Sequence, residues 1–474
     1  MHGFEELAPA TPSTPASGPW HRELNRYHWF VLAVAALGWL FDTMDQQLFT
    51  LARNPAMREL LTVTPGELPA KDVVDFWGKV ATSIFLVGWA TGGLAFGILG
   101  DRIGRAKVML WTILLYSAFT GLSAFSWDIW SFSFFRFLTG LGVGGEFAVG
   151  VALVAEVMPS RARPFALGLL QALSAVGNIT AAFINIGLGH LEGEGAFKSL
   201  PMTSNPVQYW RIMFVVGTLP ALLAILVRRR LKEPEQWQAE IAAQKQGKKA
   251  GSVAELFGDP RWRKNALAGL ALAFAGVVGL WGIGFFSYDL ISNVFRKRFE
   301  DQGMSPADIT KSLSFWVGIA SVVQNIGGFF GIYAFSYVTH WIGRKPAFFI
   351  SFIMAMFSTM LVYWSLDQIH EIFWMLPIMG FCQLALFGGY AIYFPELFPT
   401  RLRSTGTSFC YNVGRYVSAA GIFALGLLTS HVFSQAKGYE EPMRWAGVTM
   451  SLVFLVGLIA LPFAPETKGQ PLPE

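Results

Sequence analysis

Charge is scarce in this 474-residue chain: Asp, Glu, Lys and Arg make up 14% of it, against about 25% in an average soluble protein. Cysteine is nearly absent. Cys382 and Cys410 both fall inside apolar runs, which excludes a disulfide framework and offers no metal-ligand spacing. There is no Walker-type glycine loop and no nucleophile motif, so neither ATP-driven pumping nor enzymatic chemistry is expected. No cofactor is implied. The N-terminus lacks an apolar signal-peptide core and carries Glu5 and Glu6. Its Pro, Ser and Thr content predicts a disordered tail over 1–27.

What is abundant is apolar. Hydrophobic residues reach 53% and aromatics 15%, with 49 glycines. A membrane span needs about 20 apolar residues, and twelve such stretches occur between residues 28 and 463. The fold class is therefore an all-α membrane protein. Basic residues gather in alternate loops: "GDRIGRAK", "PSRARP", "RRRLKEPEQW", "WIGRKP" and "PTRLRS". The intervening loops are basic-poor, with "RKRFED" a local exception. The positive-inside rule makes the first set cytoplasmic and puts both termini on that side. It also accounts for the net charge of +5 without nucleic acid. The expected organisation is an N-terminal half over 28–230, a cytoplasmic linker over 231–264, a C-terminal half over 265–463 and a tail over 464–474.

The halves repeat. "AEVMPSRARPFALG" matches "PELFPTRLRSTGTS", with Glu156 and Glu396 standing 240 residues apart. "DRIGRAK" matches "HWIGRKP", with Asp101 and His340 standing 239 apart. Two motifs at nearly one offset indicate an internal duplication. "GILGDRIGRAKVML", "RFLTGLGVGGE" and the closing "PETKG" resemble signatures of the major facilitator superfamily, across nearly the whole chain after the tail. That resemblance implies two pseudo-symmetric six-helix halves around a central site and transport by alternating access. It also implies a cytoplasmic gate of charge pairs, here Asp101, Arg105, Glu156, Arg163, Arg344, Glu396, Arg403 and Glu466. The alternative role for these residues is helix capping and topology. His340, standing where the first repeat has Asp101, breaks the electrical symmetry.

Charges inside the spans are costly and point to function. Asp42 lies about 21 Å from the cytoplasmic end of span 1, and Arg136 about 10 Å from the outer end of span 4. In a core about 30 Å thick these are matched depths. The expectation is that Asp42, Asp45 and Arg136 couple protons to transport, because a cation that approaches and leaves a carboxyl changes its affinity for a proton. A static ion pair is the alternative. Asp42, Asp45, Gln46 and Phe49 are read as one helix face. "LFDT" resembles the first-helix acid of proton-coupled sugar porters, and "DTMD" fits aromatic acid–proton symporters. "GGE" at Glu146 resembles metabolite and sialic acid symporters, and the sequence leaves its role, like that of Asp289, open. Lys79 and Arg211 are expected to snorkel near outer ends.

Arg415 lies near mid-membrane on a face with Ser408, Tyr411, Asn412 and Ser418, which suggests an anion site; an ion pair with Asp289 is the alternative. Gln171 and Asn178 (span 5), Trp281 and Tyr288 (span 7), Gln324 and Asn325 (span 8), and Gln383 and Tyr390 (span 10) are the further candidate substrate contacts. The reading is a monomeric proton-coupled symporter of a small organic acid in a bacterial inner membrane, its partners being substrate, protons and lipid. The rivals are a proton-coupled sugar porter and a transporter-like receptor without flux. Against sugar, span 7 lacks the paired glutamines that sugar porters carry.

Overall fold

The computed structural model describes residues 19–62, 69, 71–193, 208–222, 227, 230–243, 251–433 and 437–473. The described residues are mostly helical, and among them there is no strand. Twelve helices form two six-helix halves, and ten of them are, among the described residues, long and apolar enough to cross a membrane. In the first half these are α1 (Arg26–Leu61), α2 (Lys71–Ile103), α3 (Arg105–Ser123), α4 (Ile129–Val157), α5 (Arg163–Gly193) and α6, described over Tyr209–Val216. The second half holds α7 (Pro260–Asp301), α8 (Pro306–Ile342), α9 (Arg344–Ser365), α10 (Ile372–Glu396), α11 (Arg403–Leu427) and α12 (Pro442–Phe463). The loop set rich in Arg and Lys lies at one end of the bundle, hereafter the basic face.

Glycine shapes the packing of each half. A Cβ on Gly88 or Gly92 of α2 would lie 2.3 or 1.9 Å from the carbonyl oxygens of Phe137 or Leu141 on α4. On the other side, Gly140 and Gly144 meet the carbonyls of Phe85 and Trp89 at 2.3 and 1.9 Å. Gly327 and Gly331 of α8 repeat this against Pro377 and Phe381 of α10, at 2.0 and 2.1 Å. Small residues thus let these helices approach backbone to backbone, where dispersion and close polar contact replace the absent hydrophobic drive.

Several boundaries differ from expectation. A 3-10 turn, Trp20–Glu23, lies inside the expected tail; the Trp20 ring stacks on Phe165 at 5.6 Å, and Arg161 pairs with Glu23 at 2.9 Å. The linker holds two short helices, Glu235–Ala243 and Val253–Gly258. Helix α7 is interrupted: a π turn over Val278–Ile283 and a 3-10 turn over Gly284–Phe286 separate its two α segments. Arg211 does not snorkel. It is buried, pairs with Glu59 at 2.7 Å and donates to the carbonyls of Ala124 and Ser126. The side chains of Lys79 and Ser418 lie outside the described residues.

Candidate functional site

A cavity of about 60 Å³ lies between the halves. Helix α1 contributes Trp39, Thr43 and Gln46, at the i, i+4 and i+7 spacing of one face. Trp89 comes from α2, Gln171, Ser174 and Asn178 from α5, Leu280, Trp281 and Tyr288 from the interrupted α7, Gln324 and Asn325 from α8, Leu384 and Phe387 from α10, and Tyr411 and Arg415 from α11. The walls are aromatic and the polar groups are mostly amides. Asn178 Nδ2 donates to Asn325 Oδ1 at 2.9 Å, joining the halves across the cavity. The carbonyl oxygens of Gln171 and Gln324 are buried without a donor among the described residues. The volume is well below the roughly 300–1,000 Å³ of small-molecule pockets, so the walls stand closed on one another here.

Arg415 is 1% exposed. Its guanidinium is sandwiched between Trp89 and Tyr411, with ring centroids at 4.1 and 4.3 Å. Nη1 donates to the Tyr411 carbonyl and to Asn412 Oδ1, and Nε has no acceptor. No carboxylate lies within ion-pair distance of it among the described residues, so the alternative pairing with Asp289 is not made. The aromatic sandwich stabilises the bare cation and leaves its charge uncompensated.

Eight of the eleven expected substrate contacts line this cavity. Three do not. Gln383 donates to Thr359 Oγ1 at 2.7 Å inside the second half. The Tyr390 hydroxyl donates to the Leu272 carbonyl at 2.7 Å, and its ring stacks on Phe348 and Phe394. Both contacts lie in a packed core, where the Tyr390 hydroxyl and the Gln383 amide nitrogen find acceptors, while Gln383 Oε1 is buried without a donor among the described residues. Asn412 faces Arg415 and Ser408 instead, and so positions the cation. Trp39, Thr43, Gln46 and Trp89 were missed as cavity residues; the 39–43–46 spacing on α1 was the available signal.

The acids of α1 point away from the cavity. Arg136 pairs with Asp45, Nη1 to Oδ2 at 3.5 Å, rather than with Asp42 as expected. It also donates to Ser123 and Thr139 and lies over the rings of Phe49 and Phe214. The matched-depth estimate is therefore off by one helical turn. Thr120 adds a 2.7 Å hydrogen bond to Asp45. Asp42 faces Glu146 of α4, with the Tyr116 hydroxyl directed at Asp42. Glu146 Oε1 fits there because Gly38 has no side chain: a Cβ would lie 2.1 Å from it. Neither Asp42 oxygen has a donor in hydrogen-bond geometry among the described residues. The expected single face of α1 thus divides. Asp42, Asp45 and Phe49 belong to the buried interior of the first half, and Gln46 to the cavity.

The residues expected to form a gate lie together at the basic face. Arg105 pairs with Asp101 at 2.9 Å and with Glu156 at 3.0 Å, and Arg403 pairs with the same Glu156 oxygen at 2.8 Å. Ser404 N, Thr405 N and Thr405 Oγ1 donate to Asp101, which ties α2 to the start of α11. Arg344 pairs with Glu396 at 2.9 Å. Arg163 makes no ion pair within 4 Å among the described residues; its Nε donates to the Ala155 carbonyl, as Arg403 Nε does to the Pro395 carbonyl. Glu466 accepts from the backbone N–H groups of Arg344, Lys345, Thr467 and Lys468. Burial pushes its carboxyl up, but these four donors outweigh it and hold it below the usual range. The His340 ring meets that of Phe165 at 5.4 Å in a tilted arrangement, so the mirrored position is an aromatic contact.

A paired bundle with a closed polar cavity between its halves and a charge clasp across one end defines a secondary transporter. The Major Facilitator Superfamily profile matches residues 35–422, and the chain belongs to that family; it is a multi-pass membrane transporter, not an enzyme. It is 29% identical over 434 residues to a probable 4-methylmuconolactone transporter of Cupriavidus pinatubonensis, covering 91% of this chain and 89% of that one. It is 28% identical to a cis,cis-muconate transport protein of Acinetobacter baylyi, covering 85% and 87%. The solved proton:xylose symporter XylE superposes with a TM-score of 0.69 at 16% identity, covering 94% of this chain and 98% of that one. At that identity the likeness shows the fold alone.

Proposed function

We propose that this protein imports a small unsaturated or ring-bearing organic acid together with protons, across a bacterial inner membrane, with the basic face and both termini cytoplasmic. The carrying observation is Arg415: a buried cation at the cavity, held between two aromatic rings and without a carboxylate within ion-pair distance among the described residues. A substrate carboxylate supplies the missing charge, and the guanidinium fork meets it with two parallel hydrogen bonds. Trp39, Trp89, Trp281 and Tyr411 offer flat walls for a conjugated or cyclic carbon skeleton, and the amides of Gln171, Asn178, Gln324 and Asn325 hold a second polar end. The muconate and muconolactone transporters among its relatives support an acid substrate.

Proton coupling is assigned to the acids on the far face of α1. Two carboxyls in contact do not both ionise in a buried site, so Asp42 and Glu146 hold a proton between them while they face each other. Asp45 stays paired with Arg136. Rocking of the halves opens one end of the bundle to water, and the proton leaves when water reaches the Asp42–Glu146 pair.

The test is competition at the site by matched acids and their neutral amides in detergent-purified protein. Acids are expected to bind at least about tenfold tighter, and Arg415→Lys to weaken them by about 2 kcal/mol or more. Equal affinity for an acid and its amide would sink the acid reading and promote the sugar porter. Binding without flux in liposomes would leave the receptor.

A further inference from the structure

We propose that a groove on the outside of the bundle, between the basic-face half of α7 and α12, is a binding site for one anionic phospholipid. The groove measures about 540 Å³, nine times the central cavity. Its floor and walls are apolar: Leu267 and Ala271 on α7, and Val456, Ile459 and Phe463 on α12. Three of these remain largely open, with Leu267 52%, Phe463 60% and Ile459 69% exposed. Arg263 and Lys264 line its basic-face end.

Three observations select the occupant. First, the groove runs along α7 from Pro260 to Ala271, about 16 Å at 1.5 Å per residue. That is about one leaflet of a hydrocarbon core roughly 30 Å thick, so it matches an acyl chain that enters from the basic face and stops at mid-membrane. Second, both cations are exposed, and neither makes an ion pair among the described residues. Asp259, the nearest acid in sequence, is occupied as the helix cap, where it accepts from Arg261 N at 2.8 Å. Arg261 itself lies over the Trp262 ring at 4.6 Å. Two free cations at the mouth of an apolar slot match a headgroup phosphate followed by a fatty chain, and a soluble anion has no use for the slot. Third, the small side chain of Ala271 holds the groove open. The site braces the lower segment of α7 against α12, below the interruption at Val278–Ile283 that carries Trp281 to the cavity.

Native mass spectrometry of the full-length protein, delipidated and titrated with phosphatidylglycerol or phosphatidylcholine, tests this. Wild type is expected to prefer the anionic lipid about thirtyfold, the factor for two cations at an anionic headgroup. Arg263→Gln with Lys264→Gln should bring the ratio to within about twofold. Ala271→Phe, which fills the slot and keeps both cations, should lose the same high-affinity copy. Arg22→Gln with Lys107→Gln, two exposed cations elsewhere on the basic face, should change nothing. Equal binding of both lipids by wild type, a full preference surviving the double charge removal, or undiminished binding by Ala271→Phe would each overturn the proposal.

Discussion

Asp42 and Asp45 are three residues apart on one helix, yet they answer to different partners. Asp45 neutralises a buried arginine, whereas Asp42 meets another acid. Their substitutions should therefore part company. Asp45→Asn strips Arg136 of its only carboxylate within 4 Å among the described residues, and an unpaired buried charge costs about 3–5 kcal/mol. A large fall in melting temperature is expected. Asp42→Asn instead places an amide donor opposite Glu146, a change worth less than about 1.5 kcal/mol. That variant should melt near wild type, lose pH-driven accumulation in liposomes and keep substrate exchange. An Asp42→Asn protein that still concentrates substrate under a pH gradient would remove the pair from coupling.

At the scale of the helix, close approach decides more than hydrophobicity does. Gly144 meets the Trp89 carbonyl across the α2–α4 contact, and Trp89 is also one wall of the Arg415 sandwich. Gly144→Val must push α2 outward, at about 1–3 kcal/mol for overpacking. It should also weaken ligand binding, read by thermal shift and by a binding titration on the same sample. Span count, duplication and the basic loops were legible in the sequence, because hydropathy and repeat offset are properties of the chain alone. Which face of a helix meets which neighbour was not. Gln383 and Tyr390 look like cavity residues until Thr359 and the Leu272 carbonyl are seen beside them. Arg136 and Asp42 sit at equal depth by counting, but the turn of α1 gives the arginine to Asp45. The break in α7 has a faint sequence trace in "GLWGIGFF", but glycine is too common in this chain for that to stand out.

For the molecule as a whole, the basic-face clasp is the element that, in the gate reading, rocking must undo. Glu156 holds one arginine from its own half and one from the other. Glu156→Gln leaves both without that charge and should favour opening at this face by about 3 kcal/mol. Cysteines placed beneath the clasp should label faster, while those near the opposite end label more slowly; unchanged labelling at both would return Glu156 to a capping role. Glu466 adds a pH dependence. Its carboxyl is held below the usual range, so its contribution is complete above the ordinary glutamate value of about 4.3 and is lost as pH falls through the lower folded value. Melting curves taken from pH 7 downward should steepen their decline there, and Glu466→Gln should flatten that part of the profile.

The first helix is one rigid rod serving two rooms. Trp39, Thr43 and Gln46 look into the cavity; Asp42 and Asp45 look into the sealed interior of the first half. A mutation on the cavity side alters what the transporter accepts and leaves the acids untouched. Under the coupling proposed above, selection for a new cargo is free to proceed residue by residue along that side, with no interval in which the proton-handling acids are disturbed. An engineer wishing to retarget this protein would start at positions 39, 43 and 46 and leave Gly38, whose missing side chain makes room for Glu146, alone.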